Sequence, residues 1–432
     1  MYDETFADKL PHVELDSEMA QRILSAGDGY SQGTEQLAQF ILVWKARLRD
    51  RLTDDNLIQV ATPRSDGFDL AAVDGGSALV PRGGGTLVTA AAYKTTINQE
   101  DQRGVARIAS VPNGPDVAQF ATLLRLHLEF LLLGREKLDA DRLVVLDHSF
   151  WGIVQEVSRA LAVYKTQRAN LIASRRNPEY DAMQIAWRKL FSDSLGLAGS
   201  FLRMIHNKAV ISLAKTAVSQ FFVKQLLGAE SASDPEIARL ASSLNDRALL
   251  RHILKPGEYT TPQSLYRVEQ ESGDVKSWKR TRFATSFEKS DGPDPFEARE
   301  KVFDEYGLPR DARPGEEVRG RRLFVTYYLP HDWSRIYRIE SHEAVLIDRD
   351  AAPDYTGHGE RFQRVLASVR MSVNPEVKEP LCQVLADERA KAAASSAITL
   401  IPERAFYQLQ DKYRENTEMR EIIETLLSEE RT

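Results

Sequence analysis

Two apolar runs that each end on an aspartate constrain this fold more than any other feature of the chain. Residues 71–80 read AAVDGGSALV and residues 143–152 read LVVLDHSFWG. Short apolar runs bounded by turn residues read as buried strands, and each of these hands on a carboxylate, Asp74 or Asp147. An isolated carboxylate at the end of a buried strand is costly to dehydrate unless a cation or hydrogen bonds compensate it. Two of them, at the C-terminal ends of neighbouring strands, point to a metal-dependent phosphate chemistry. Gly75, Gly76 and Ser77 are small enough to turn the chain directly after Asp74, so a turn is expected there.

Composition narrows the class without choosing a function. A chain of 432 residues can hold one large domain or two ordinary ones and can bury a sizeable core. With 28% charged and 42% hydrophobic residues the balance is globular rather than disordered. The acidic N-terminus, MYDETFADKL, has no signal-peptide apolar region. No apolar run approaches the roughly 20 residues that span a bilayer, so no membrane association is expected. The single cysteine, Cys382, excludes an internal disulfide and fits a reducing, cytoplasmic setting. No Cys/His cluster points to zinc, so a metal is expected to be a hard cation held by oxygens. The net charge of −6 does not advertise a nucleic-acid binder, though a local basic surface could still serve one.

Periodicity organises the rest. Residues 34–53 read as a helix capped at Thr34. A β-rich block follows (IQVATP, FDLAAVDGG, TLVTAAAYKT, ARIASV), with PRGGG at 81–85 as a tight connection. Pro115 and Asp116 open a long apolar helix to about 138, and a strand at 143–147 comes next. Residues 152–205 read as a helical insertion carrying Arg159, Lys165, Arg168, Arg175, Arg176, Arg188 and Lys189. VISLAKTAV (210–218) reads as a core strand, about 228–335 as an irregular, β-rich excursion, and about 381–430 as a charged helical end. The order predicts an α/β fold with an RNase H-like mixed-sheet core, an analogy until site residues support it. Three regions are expected: an N-terminal helical segment (1–55) for oligomer or partner contact, a central domain (56–390) and a charged C-terminal segment (391–432).

Each candidate residue has a chemical and a structural reading. Asp74 is a metal ligand whose glycines admit a phosphate backbone, or the head of an Asp-Gly hairpin turn. Asp147 is a strand-end ligand or the N-cap of the helix that follows Ser149. Glu129 lies in LLRLHLEFLLLG, a helix apolar nearly all round. It needs a partner, either Arg125 at i−4 or a cation shared with the aspartates. Lys215 neutralises a phosphate or snorkels to water. His127, His148 and His342 read as structural. No G-x-x-x-x-G-K-[ST] phosphate loop occurs.

Taken together the motifs resemble the NurA nucleases, partners of the HerA hexameric translocase. AAVDGGSA and LVVLDHSFWG are similar to the two aspartate motifs of that family, and AVISLAKTAVSQ to its lysine-bearing strand. NDRALLRHILKPGEYT (245–260) and IYRIES (336–341) follow in the same order, so the resemblance runs from about residue 56 to 390. It implies a Piwi-related RNase H-like core that cleaves DNA with Mn²⁺ or Mg²⁺, as a 5′-to-3′ exonuclease and single-strand endonuclease. It also implies a homodimer docked on HerA and a two-metal phosphodiesterase mechanism for DNA end processing or anti-phage defence. Asp74 and Asp147 carry over as ligands, and Glu129 by its place on the helix before the second aspartate. The C-terminal motif departs from the family: EPLCQVLADERAKA (379–392) has Pro380 and Leu381 but neither the tyrosine nor the histidine. Asp387 is the best substitute for the fourth ligand, with Glu388 turned about 100° away and Asp348 or Asp350 as alternatives. Lys215 and the cations of 159–189 would hold the DNA backbone. The competing readings are an inactive scaffold on DNA ends or on the motor, and an actin-like phosphotransferase that shares the strand-Asp-Gly opening.

Overall fold

Short, wholly apolar runs of β-branched and leucine residues can only be strands covered on both faces, and two of them set the centre of the sheet. A computed structural model describes residues 17–82, 85–134, 141–192, 209–214, 219–265, 267–268, 323–342, 345 and 359–427. The strands are β1 (Ile58–Val60), β2 (Asp69–Arg82), β3 (Gly85–Thr96), β4 (Arg103–Val111), β5 (Arg142–Leu146), β6 (Val210–Ala214), β7 (Glu258–Thr260), β8 (Gln263–Ser264), β9 (Leu323–Leu329) and β10 (Tyr337–His342). They form one mixed ten-stranded sheet in the order β1-β7-β9-β10-β6-β5-β2-β3-β4, with β8 against β9. β2, β5 and β6 run parallel and every other pair is antiparallel. A parallel pair needs a long crossover, and between β2 and β5 that includes the helix α2 (Val117–Gly134).

Strand alternation sends the core to two sides. Val73, Val144 and Leu146 pack with Leu126 and Phe130 of α2, with α3 (Phe150–Ala173) and with Trp187 of α4 (Ala182–Ser192). Leu70, Ala72, Leu143 and Val145 face the other way, onto Phe362 and Leu366 of α8 (Glu360–Ser372) and Cys382 and Ala386 of α9 (Leu381–Lys412). Because α2 is sandwiched between sheet and helices, it is apolar on nearly every side. The thiol of Cys382 is fully buried and pushed up to about 12 by that burial, which leaves it unreactive.

Several expectations are revised. The first helix, α1, runs from Ser17 to Asp54, so Thr34 lies inside it rather than capping it. Its Leu48 and Leu52 are fully buried. Arg49 holds Glu258 through two bonds of 2.6 and 2.8 Å, which ties the N-terminal segment into the core. The stretch from 228, expected to be irregular and β-rich, instead continues or forms three helices: α5 (Phe221–Ser233), α6 (Pro235–Ser242) and α7 (Asp246–Ile253). Residues 271–322 lie outside the described residues. A boundary at 390/391 falls inside α9, whose Ala394 is buried and accepts a bond from Thr89 Oγ1 at 2.9 Å. A last helix, α10 (Thr417–Leu427), follows. No helix of the described residues is long and apolar enough to cross a membrane.

The NDRALL segment joins these pieces. Asn245 caps α7 by accepting from Ala248 N. The buried Asp246 caps the neighbouring α5, accepting from Phe221 N at 3.0 Å, Val223 N at 3.1 Å and Ser219 Oγ at 2.6 Å. Burial pushes Asp246 up to about 6 despite those bonds.

A buried ion pair holds the middle of the sheet. Arg338 and Glu340 of β10 are 1% and 0% exposed and meet at 2.5 Å. Glu340 also accepts from Phe150 N at 2.6 Å and Ser149 Oγ at 3.2 Å, at the N-terminus of α3. Carboxylates are favoured at helix N-termini, and removing one partner of a buried pair costs far more than the pair itself contributes. Arg338→Met is therefore expected to lower the free energy of unfolding in urea by about 3–5 kcal/mol. Arg338→Met combined with Glu340→Gln should lower it by less; an equal or greater loss in the double variant would refute this account.

Candidate metal centre

Register brings the two aspartates together. β2 and β5 pair in parallel from Asp69↔Arg142 to Val73↔Leu146, and Asp74 and Asp147 follow directly. β5 ends there while β2 continues to Arg82, so the pairing of the two strands stops at the two carboxylates. Asp74 is 5% exposed and its Oδ1 accepts from Gly75 N at 2.7 Å. Asp147 Oδ1 accepts from Nε2 of Gln383, in the first turn of α9, at 3.3 Å.

The glycines after Asp74 do not make a turn. Gly75 and Gly76 sit inside β2, opposite Ala92 and Ala91 of β3, and the hairpin comes later, between Arg82 and Gly85. Their use is close packing on both faces. A Cβ on Gly75 would lie 2.4 Å from Glu129 Oε1 and 2.6 Å from Arg125 Cγ. A Cβ on Gly76 would lie 2.8 Å from the carbonyl oxygen of Ala390 in α9. The space expected to admit a phosphate is filled by Glu129 on one side and a helix backbone on the other.

Glu129 is the least compensated group in the site. It is fully buried, and among the described residues neither carboxylate oxygen has a hydrogen-bond partner. Arg125 Nε stands 3.6 Å from Oε1 and His148 Nε2 stands 3.5 Å from Oε2, which are ion-pair distances without bonded geometry. Among the described residues, donor atoms of Asp74, Glu129 and His148 lie within 4.8 Å of one another. Two carboxylates and an imidazole converging on one point, with the buried carboxylate unsatisfied, fit a divalent cation by donor chemistry. Burial pushes Asp74 up to about 7, helped by the charges of Glu129 and Asp147 and opposed by His148 and the Gly75 amide. For His148 burial acts against protonation, but Glu129 and Asp74 outweigh it and raise the imidazole.

His148, expected to be structural, thus joins the acids. The signal was its place directly after Asp147, which an apolar-run reading passes over. His127 and His342 are buried away from the cluster, His127 held neutral with its value pushed down to about 3 by burial. Asp387 is not among the converging donors: it pairs with Lys391 at 2.7 Å, and its helix reaches the site through Gln383, one turn earlier. Glu388 is exposed. Lys215, Asp348 and Asp350 lie outside the described residues. Arg159 bonds Glu156 at 2.7 Å, and it, Lys165, Arg175, Arg176, Arg188 and Lys189 are exposed along α3, α4 and their connection. Sequence reasoning also missed the clamp that orients this segment: Ser149 caps α3 through Gly152 N and donates to Glu340, while Ser212 Oγ donates to the carbonyl of His148.

The raised Asp74 carboxyl has a stability consequence. Below its ordinary value of 3.8 it is neutral in folded and unfolded chains alike. Between that value and about 7 the unfolded chain is charged and the folded chain is not, so stability of the metal-free protein falls as pH rises. Above about 7 the folded chain carries the full cost. Asp74→Asn is expected to raise the melting temperature of EDTA-treated protein by at least roughly 2 °C at pH 8, with a smaller gain at pH 5. A pH-independent change in thermal unfolding would remove burial as the cause.

The sequence matches no family model and no curated protein. Among solved structures, the chain is similar to the crystal structure of the NurA nuclease from Sulfolobus solfataricus, with a TM-score of 0.49 and 11% identity over 94% of this chain and 99% of that one. NurA bound to dAMP and manganese matches with a TM-score of 0.46 and 11% identity, over 86% and 96%. NurA with manganese matches with a TM-score of 0.35 and 12% identity, over 86% and 97%. All three are structures of NurA proteins.

Proposed function

We propose that the chain is a metal-dependent deoxyribonuclease of NurA type. The observation that carries this reading is the convergence of Asp74, Glu129 and His148 on one point beside Asp147, with a fully buried Glu129 that no hydrogen bond from a described residue satisfies. A site that leaves a buried carboxylate unsatisfied is built for a cation. The strand order β4-β3-β2-β5-β6, three antiparallel strands joined to two parallel ones, supports an RNase H-like core with its acids at the parallel strand ends.

Asp74, Glu129 and Asp147 are the carboxylates that would hold Mn²⁺ or Mg²⁺, two ions in this reading. Such ions supply Lewis acidity and lower the pKa of a bound water. The chain itself does the positioning. Asp74 is fixed by the Gly75 amide, Asp147 by Gln383, and Glu129 by the Gly75 slot. The surrounding apolar strands exclude bulk water, which strengthens every charge interaction within. The exposed cations of 159–189 give a sequence-indifferent, salt-sensitive grip on the DNA backbone.

The sequence carries no nucleotide-binding phosphate loop, so strand movement falls to a HerA-type hexameric translocase, with the nuclease as a homodimer in the cytoplasm. DNA end processing and anti-phage defence would use the same chemistry, including 5′-to-3′ exonuclease and single-strand endonuclease action. The scaffold reading draws on one observation, that α9 commits Asp387 to Lys391. The phosphotransferase reading loses its starting motif, because the Asp-Gly-Gly segment is a packed strand.

Cleavage of end-labelled single- and double-stranded DNA with Mn²⁺, Mg²⁺ or EDTA tests this, with and without the translocase and ATP. Asp74→Ala and Asp147→Ala are expected to fall below a hundredth of wild-type cutting, a loss of about 2.7 kcal/mol or more of transition-state stabilisation. DNA or motor binding without metal-dependent cutting in any arm would place the scaffold reading first.

A further inference from the structure

We propose that His148 Nε2 is itself a direct cation ligand, and that this imidazole makes the centre prefer a first-row transition ion such as Mn²⁺ over Mg²⁺. The inference rests on reading the acidic centre as a cation site, but not on the nuclease activity.

Three observations carry it. The first is geometry: Nε2 of His148 converges with Asp74 and Glu129 oxygens inside 4.8 Å, yet it hydrogen-bonds neither. At 3.5 Å from Glu129 Oε2 the ring nitrogen is buried and aimed at the space the carboxylates share. An imidazole serving only as a counter-ion would close to hydrogen-bonding distance, because a charge-assisted bond is short.

The second is presentation. The carbonyl of His148 is held by Ser212 Oγ, and the next residue, Ser149, is fixed by its cap on α3 and its bond to Glu340. Glu340 is fixed in turn by Arg338. Ligands need this kind of support from elements whose own geometry is locked. The clamp acts on the two residues after Asp147 from β6 and β10, so it sets aspartate and histidine together.

The third is the donor inventory. Helix α9 brings the neutral Gln383 to Asp147 and pairs Asp387 with Lys391. Among the described residues the converging donors are Asp74, Glu129 and His148, with the Arg125 guanidinium 3.6 Å from Glu129, so His148 is the nitrogen donor of the group. Carboxylates alone suit Mg²⁺ and Mn²⁺ alike, whereas a nitrogen donor is poor for Mg²⁺ and acceptable to Mn²⁺ and its heavier neighbours.

The test uses the full chain loaded with Mn²⁺ and read by pulsed electron paramagnetic resonance and by calorimetric titration. Wild type is expected to show the nitrogen modulation of a directly bound imidazole. His148→Gln should lose that modulation and bind Mn²⁺ roughly 10–100-fold more weakly. His148→Asp keeps a donor at the position: it should hold Mn²⁺ without the nitrogen signal and narrow the Mn²⁺/Mg²⁺ affinity ratio at least threefold. This second variant keeps the test decisive if His148→Gln folds poorly. Nitrogen modulation that persists in His148→Asp, an unchanged affinity ratio, or a wild-type protein that takes up no Mn²⁺ would each overturn the proposal. Nitrogen-ligated Mn²⁺ in a protein that cuts no DNA would refute the nuclease reading and leave the ligand in place.

Discussion

A carboxylate with no hydrogen bond, laid into a slot that only glycine can leave open, is the constraint on which the centre of this protein turns. Glu129 reaches β2 at Gly75, where any side chain would collide with it. Leaving a polar group buried without a partner costs about 1–3 kcal/mol, more for a charged one. Neither Arg125 nor His148 closes to bonding distance. The apolar surface of α2 buries itself against the sheet, and the same packing forces Glu129 inside. Fold and site are thus one object: the helix that stabilises the sheet is the helix that destabilises its own acid.

The opposite treatment of other buried acids sharpens this point. Asp246 receives two backbone amides and a hydroxyl, and Glu340 receives an amide, a hydroxyl and a guanidinium. Both are satisfied and both tie distant segments together. The chain therefore contains the means to satisfy a buried carboxylate and does so where the role is structural. At Glu129 it withholds them, and a buried carboxylate left unsatisfied beside other acids marks a functional position.

Much of this was legible in the sequence because apolar runs leave few choices. LVVL and VISLA had to be covered strands, the Leu-rich stretch before them a buried helix, and the residues ending or following them strand-end groups. What misled was the double use of small residues. Asp-Gly-Gly is a turn signal when nothing fills the space beside it, but here Glu129 and α9 fill both sides, and that packing is nonlocal. The same limit hid Gln383, whose reach to Asp147 depends on where α9 crosses the sheet. His148 was set aside because a lone histidine after a strand is ordinarily structural; only the arrival of Glu129 from 19 positions earlier in the chain gives it another role. The helices of 221–253 were missed because their polar faces hide a short apolar stripe.

Helix α9 shows how position and chemistry separate. α9 crosses β2 so closely that Gly76 has no room for a Cβ against Ala390, and its N-terminal turn brings Gln383 to the second aspartate. A glutamine there can orient a carboxylate but adds no charge. Asp387, one turn on, does carry charge, but Lys391 claims it in a partly exposed pair that is worth little to stability. The helix therefore meets the centre with a neutral side chain, and the charge balance there is left to β2, α2 and the segment after β5. Any cation bound there must be balanced by groups that the sheet itself assembles. Its binding energy adds to the stability of the folded state by mass action, at a buried carboxylate that no described hydrogen bond satisfies.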